Sequence, residues 1–145
     1  RSFSLDMAED ARVTLLEAIT FGRMAMGEAS INGTLDDTWR LRRGGKLIYA
    51  DNLRLDDALG ATLDRKTCGD GARATALFLH IAPEAESLVD LARDLLKPAQ
   101  CAWGASAWNG LLAIRLLSPQ PEKIRSALVP LLETLRGRPG PRVWQ

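Results

Sequence analysis

The stretch 72-ARATALFLHIA-82 decides the fold. It is an apolar run of strand length, and such runs are typical of a central strand that is buried on both faces. Pro83 ends the run and opens a helix, because proline is tolerated in a first helical turn. Glu84 and Glu86 fall in that turn, where they favour the positive end of the helix dipole. Apolar residues at intervals of three and four then predict one buried face as far as Lys97-Pro98, where the helix closes.

The sequence beyond this helix predicts a hairpin and a second helix. Cys101 to Ala107 and Leu111 to Leu117 form two strands that are joined by a turn at Asn109-Gly110. A second helix begins at Pro121 and ends near Arg136-Gly137. Its apolar face consists of Ile124, Leu128, Leu131, Leu132 and Leu135.

Pro130 lies inside this last helix and is predicted to kink or split it, since proline removes a backbone donor and clashes with the preceding turn. Residues 72–137 are therefore expected to run strand, helix, strand, strand, helix. Residues 138–145 form a basic, irregular tail.

Residues 1–71 are rich in turns and strand-like. Ala11 to Phe21 is predicted to be a strand because of its β-branched residues, although its leucines also fit helical spacing. Asn32-Gly33 is a strong hairpin signal. Thr38 to Arg42 and Lys46 to Asp51 are expected to pair across two glycines. This part is predicted to be an antiparallel meander.

Two amphipathic helices can cover one face of a sheet. The predicted fold class is therefore mainly β, of the α+β type, with an antiparallel scaffold and two helices packed on it. Residues 1–145 are expected to be part of one such domain.

Composition argues against several functions. The chain has 19 basic and 18 acidic residues and a formal net charge of +1, which predicts neither a nucleic acid nor a membrane surface as partner. Arg40 to Arg43 could suggest a nucleic-acid face, but Asp36, Asp37 and Asp51 offset it. No apolar run approaches the roughly 20 residues that span a bilayer.

Few residues suggest catalysis or tight metal binding. The chain has one histidine, His80, so a histidine-dependent triad or a multi-histidine zinc site within it is excluded by counting. We interpret His80 as a structural side chain. Cys68 and Cys101 are far apart in sequence and lack ligands at metal spacing, which favours two unpaired thiols in a reducing cytosol.

Three carboxylates lie in or beside predicted strands: Glu17, Glu28 and Asp51. Inward-facing strand carboxylates must be paired, hydrogen-bonded or hydrated. The simpler interpretation is a salt bridge, for instance between Glu28 and Arg23. The alternative is a water-filled path for a divalent ion, which would need oxygen ligands that release it again.

The segment 17-EAITFGRMAMGE-28 resembles the E-x4-G-R-x-A-x-G-E pattern of the urease accessory protein UreD family, also called UreH. The ending Pro141-Arg142-Val143-Trp144 is similar to the Pro-Arg-x-Trp ending of that family. The resemblance covers essentially the whole chain and about the second, C-terminal half of the family's protein. The missing initiator Met agrees with a chain that begins inside a longer protein.

The resemblance implies a mainly β scaffold with two helices that works in the cytoplasm and is not an enzyme. Its implied partners are UreF, the GTPase UreG through UreF, and apo-urease. Nickel would pass through in transit, with no tightly bound cofactor, and neither nucleic acid nor membrane would be a partner.

This sequence matches the family motifs at six positions, which are candidates for partner binding: Gly22, Arg23, Gly27, Glu28, Arg142 and Trp144. Glu17, Glu28 and Asp51 are the candidates for the nickel path. The sequence leaves two other functional hypotheses open. One is an α+β enzyme whose catalytic residues lie in an N-terminal half outside this chain, and the other is a nucleic-acid-binding module.

Overall fold

The computed structural model describes residues 1–22, 32–56 and 58–142. Within these residues the chain forms seven strands and three α-helices. In chain order they are β1 (Ser2–Met7), β2 (Val13–Thr20), β3 (Leu35–Arg43), β4 (Lys46–Leu55), α1 (Leu59–Asp64), β5 (Ala74–Ile81), α2 (Val89–Leu96), β6 (Ala102–Trp108), β7 (Leu111–Ser118) and α3 (Pro121–Arg136).

The strands form two sheets. One has three strands in the order β1-β3-β4, and the other has four in the order β2-β5-β7-β6. β5 is an inner strand, as its largely apolar sequence predicts. It pairs antiparallel with β2 on one side and with β7 on the other.

The two faces of β5 contact different layers. Ala76 and Phe78 pack with the helices, whereas Leu79 and Ile81 pack against the three-stranded sheet. Phe78 is fully buried, and burial of such a side chain stabilises the fold by roughly 1.5–3 kcal/mol. The four-stranded sheet is therefore the middle of three layers, with a sheet on one side and helices on the other.

The helix layer agrees closely with the sequence pattern. α3 begins with Pro121 and ends at Arg136, and the following Gly137 has a φ of 63°, the left-handed conformation of a helix C-cap. Pro130 lies on the exposed side, and α3 continues through it, so the predicted split does not occur. The helix predicted after Pro83 starts as a 3₁₀ turn at Ala85–Leu88 and continues as α2.

The antiparallel meander predicted for the first part is wrong. β1 lies parallel to β3, and β2 pairs with β5 in the other sheet. The physical reason lies in adjacent apolar residues: Leu15 packs towards the three-stranded sheet and Leu16 towards the helices, so β2 needs cover on both faces. β3 and β4 form the predicted antiparallel hairpin.

Three further points complete the fold. α1 is a short helix that the sequence did not predict, and it buries Leu59 and Leu63 against Phe21. The hairpin predicted at Asn32-Gly33 involves residues that lie outside the described part of the chain. The predicted class, mainly β with helices on a largely antiparallel scaffold, is confirmed.

Candidate functional site between the two sheets

A small polar cavity lies between the sheets. It has a volume of about 30 Å³, which is enough for about one water molecule. Its charged lining residues come from four strands: Glu17 on β2, Asp37 on β3, Asp51 on β4 and Arg115 on β7. We call this space the intersheet cavity.

One end of the intersheet cavity is organised by Arg1. Its Nη2 lies 2.7 Å from Oε2 of Glu17 and 2.8 Å from Oδ2 of Asp37, and its Nε lies 3.2 Å from Oδ1 of Asp37. Trp39 adds an indole hydrogen bond of 3.0 Å to Oδ2 of Asp37. Asp37 therefore accepts charge-assisted bonds from a forked guanidinium and one further bond from a buried ring.

The pKa values of these two carboxyl groups move in opposite directions. Burial raises the pKa of Glu17, and the nearby charge of Asp37 adds to this, against the attraction of Arg1. Burial also acts to raise the pKa of Asp37, but the hydrogen bonds from Arg1 and Trp39 outweigh it, so that this pKa is lowered. Of the pair, Asp37 is the carboxyl that ionises first.

The other end of the intersheet cavity is organised by Arg115. Its Nη2 lies 2.7 Å from Oδ2 of Asp51 and 3.2 Å from the hydroxyl of Tyr49. Burial raises the pKa of Tyr49 to about 12. Burial acts to lower the pKa of Arg115, but the bond to Asp51 outweighs it and the pKa is raised. This network joins β4 of one sheet to β7 of the other.

The cavity brings together two of the three carboxylates that the sequence singled out. Glu17 and Asp51 both line it, and each forms the salt bridge that the simpler interpretation expects. Within residues 1–22, 32–56 and 58–142, no group of three or more His, Cys, Asp and Glu side chains is arranged to hold a metal ion. The described geometry is that of paired carboxylates, and a role in ion transit stays a prediction.

The other predicted site residues are not at this cavity or are not described. Gly22 follows β2 with a φ of 77°, a left-handed conformation that favours glycine. Arg142 is exposed and does not line the cavity. Arg23, Gly27, Glu28 and Trp144 lie outside the described residues, so their predicted roles stay predictions.

Sequence reasoning missed Asp37 as a site residue. The alternation that places Trp39 and Leu41 inward continues backwards to Asp37, which is only 5% exposed. A charged residue in the inward register of a strand is the signal that could have found it, because such a group requires a partner.

His80 and the cysteines fit structural roles. The His80 ring is buried, its Nδ1 lies 2.9 Å from the hydroxyl of Thr14, and burial lowers its pKa. Cys68 is exposed and Cys101 half-buried, and the two form no disulfide. In the described part of the chain, no helix is both long and apolar enough to cross a membrane.

Comparison with known proteins identifies the class of protein first. A family model described as UreD urease accessory protein matches residues 1–145. The description of this family is that of an accessory protein of urease. The chain belongs to the UreD family.

Individual relatives agree with this assignment. The chain is 51% identical to urease accessory protein UreD of Methylobacterium sp. (strain 4-46), over 100% of this chain and 53% of the relative. It is 49% identical to UreD of Azorhizobium caulinodans, over 99% of this chain and 53% of the relative. It is 47% identical to UreD 3 of Methylorubrum extorquens (strain PA1), over 100% and 49%. The chain spans about half the length of the curated relatives it matches.

Proposed function

We propose that the full-length protein is a cytoplasmic scaffold in urease maturation, which acts with UreF and the GTPase UreG to assist nickel insertion into apo-urease. Membership of the UreD family carries this proposal. The partners and the nickel cargo come from the family resemblance. The segment 22–28, with Gly22, Arg23, Gly27 and Glu28, and the ending with Arg142 and Trp144 are the proposed partner-binding motifs.

The intersheet cavity supports a role in nickel transit. Glu17 and Asp51 were expected on the nickel path, and we now add Asp37 to it because all three line one cavity. Carboxylate oxygens are ligands that bind divalent ions and exchange them. Glu28 remains a proposed member of the path.

The arginine partners fit a path that opens and closes. The side chains of Arg1 and Arg115 are 51% and 56% exposed, whereas those of Asp37 and Asp51 are 6% and 19% exposed. Each arginine can swing into water while its carboxylate stays at the cavity. A divalent cation that reaches the cavity could then take the place of each guanidinium beside its carboxylate.

The proposal is tested in cells that carry the full urease gene set, with nickel kept low so that urease cannot load itself. Without the protein, urease should assemble but contain little nickel and be inactive. The triple variant Glu17→Gln, Asp37→Asn, Asp51→Asn should reproduce much of that defect while still binding apo-urease.

A matched control removes three exposed carboxylates: Asp6→Asn, Asp10→Asn and Asp70→Asn. This control should load urease normally. Full nickel loading without the protein would disprove the maturation function. Full loading by the triple variant at normal protein levels would disprove the path while leaving the scaffold function intact.

A further inference from the structure

A second space adjoins the intersheet cavity at its Arg115 end. It has a volume of about 270 Å³, and its lining residues are Tyr49, Gly104, Ser106, Trp108, Ala113 and Arg115. Most of them lie on β6 and β7, on the face that is turned towards the three-stranded sheet. Arg115 lines the intersheet cavity as well. We call the second space the outer pocket.

The guanidinium of Arg115 lies between the two spaces. Its Nη2 lies 2.7 Å from Oδ2 of Asp51, which lines the cavity. The same nitrogen donates a hydrogen bond of 3.2 Å to the hydroxyl of Tyr49, which lines the outer pocket. Since β4 and β7 hold these three residues, the position of the guanidinium does not depend on what lies beyond the outer pocket.

Arg115 is held less firmly than the arginine at the other end of the cavity. Arg1 bonds Asp37 through two nitrogens, and one of these also bonds Glu17. Arg115 reaches Asp51 through one nitrogen, and its bond to Tyr49 goes to a neutral oxygen. A forked guanidinium–carboxylate pair is stronger than a single charge-assisted bond. The Arg115 end of the cavity is therefore the easier one to open.

The outer pocket leaves room for the Arg115 side chain to move. Gly104 on β6 is the register partner of Arg115 on β7. A carbon added at Gly104 would meet nothing within 4 Å, so the space beside Arg115 is empty of protein atoms there. On the far side, Trp108 stacks on the buried ring of Tyr49, with ring centroids 6.5 Å apart. The guanidinium can thus leave Asp51 without displacing a packed side chain.

We propose that Arg115 is the gate of the intersheet cavity and that the outer pocket is the port through which a divalent cation passes. The inference rests on the proposed role in nickel transit. In the closed state the guanidinium bonds Asp51 and Tyr49, and its charge repels cations from the port. In the open state it lies over Gly104, and the oxygens of Asp51 are free to bind the cation. Arg115 is a positioning residue, since it does not itself bind the ion.

The first test fills the outer pocket after the protein has folded. Full-length Gly104→Cys, with UreF and UreG, loads apo-urease with Ni²⁺, and the nickel content of urease is followed over time. The new thiol is then modified with benzyl methanethiosulfonate, which places a ring where Arg115 would move. We expect the loading rate of the variant to fall about tenfold or more on modification. Dithiothreitol, which removes the label by thiol–disulfide exchange, should restore the rate.

Two controls receive the same reagent. Wild type reports the effect on the protein's own thiols, including the exposed Cys68. Ala50→Cys carries the label on an exposed residue of β4 that does not line the outer pocket. Both should keep their loading rates.

The outcomes of this test separate the gate from the scaffold function. An unchanged rate after modification of Gly104→Cys would overturn the inference and leave the proposed function standing. A thiol at this position that the reagent does not reach in the full-length protein would also overturn it, because a port must admit small molecules. Failure of the wild type to load urease under these conditions would overturn both.

A second measurement needs neither urease nor a partner. Trp39 lines the cavity, and a paramagnetic Ni²⁺ ion bound there should quench its fluorescence. Subtracting the signal of Trp39→Phe isolates this tryptophan in the full-length protein. Arg115→Ala removes the gate, so quenching by Ni²⁺ should rise severalfold.

Arg65→Ala is the control for this measurement, because it removes an exposed arginine after α1. Its quenching should match that of wild type. Equal quenching of Arg115→Ala and wild type would overturn the inference. If Arg115→Ala does not fold, the thiol test still decides, since it leaves Arg115 in place.

Discussion

The indole Nε1 of Trp39 lies 3.0 Å from Oδ2 of Asp37, two residues earlier on the same inward face of β3. A buried tryptophan thus fixes the orientation of a buried carboxylate within one strand. Arg1 holds the same carboxylate with two further bonds, of 2.8 and 3.2 Å. Asp37 is the most firmly held acidic group of the intersheet cavity, and this has consequences for stability.

Asp37→Asn should lower the free energy of unfolding by about 1–3 kcal/mol, because it weakens charge-assisted bonds to Arg1 at a site with little access to water. Urea unfolding of the full-length protein measures the change. Asp36→Asn serves as the control, since Asp36 is exposed and its variant should stay within about 0.5 kcal/mol. A smaller effect at Asp37 than at Asp36 would contradict this account of the cavity.

Glu17→Gln should become more stable than wild type as pH rises, whereas Asp37→Asn is expected to be less stable than wild type. The raised pKa of Glu17 means that the folded state binds this proton more tightly than the unfolded state. Its contribution is therefore fully present below the ordinary carboxyl pKa of 4.5 and is lost as pH rises through the folded value. The uncharged variant should gain stability relative to wild type across that range.

Unfolding measured at a series of pH values from acid to neutral checks this prediction. Asp37 provides the internal contrast: its lowered pKa gives stability that is present above its ordinary pKa and is lost as pH falls. The difference between Asp37→Asn and wild type should thus shrink in acid. A Glu17→Gln variant that loses stability relative to wild type on going from acid to neutral pH would show that Arg1, and not burial, dominates at Glu17.

Gly69→Ala should destabilise the turn after α1 by about 1–3 kcal/mol, the usual cost of overpacking. A methyl group there would lie 2.3 Å from the backbone oxygen of Leu63, a group that cannot move aside cheaply. Gly104→Ala on β6 is the matched control, because its added carbon meets nothing within 4 Å. Thermal unfolding of both variants compares them, and equal melting temperatures would contradict the packing described around α1.

The sequence was sufficient where a local pattern determines the structure. The apolar run of β5, the Asn109-Gly110 turn and the face of α3 depend on neighbours in sequence, and all three appear as predicted. Strand partners do not follow from such patterns, because alternation specifies faces and not pairings. The parallel pairing of β1 with β3 was therefore missed.

The contacts at the intersheet cavity could not be predicted from the sequence for a similar reason. Glu17 and Asp51 were found because each lies in a predicted strand. The arginines that organise the two ends of the cavity are distant in sequence from the residues they bond. Arg1 reaches Asp37 across 36 positions, and Arg115 reaches Tyr49 across 66. Only the packing of two sheets brings these groups together. The spacing of residues within one strand does not predict such contacts.

Tyr49 should ionise far outside the ordinary range, and this tests the Asp51 end of the cavity. Its pKa is raised from 10.0 to about 12, chiefly by burial. The phenolate absorbance of the full-length protein, minus that of Tyr49→Phe, isolates its titration from any other tyrosine. Arg115→Leu removes the positive charge that favours the phenolate, so its ionisation should need still higher pH. An apparent pKa near 10 in the folded wild type would mean that water reaches the hydroxyl freely and that the network of Arg115, Asp51 and Tyr49 does not close this end of the cavity.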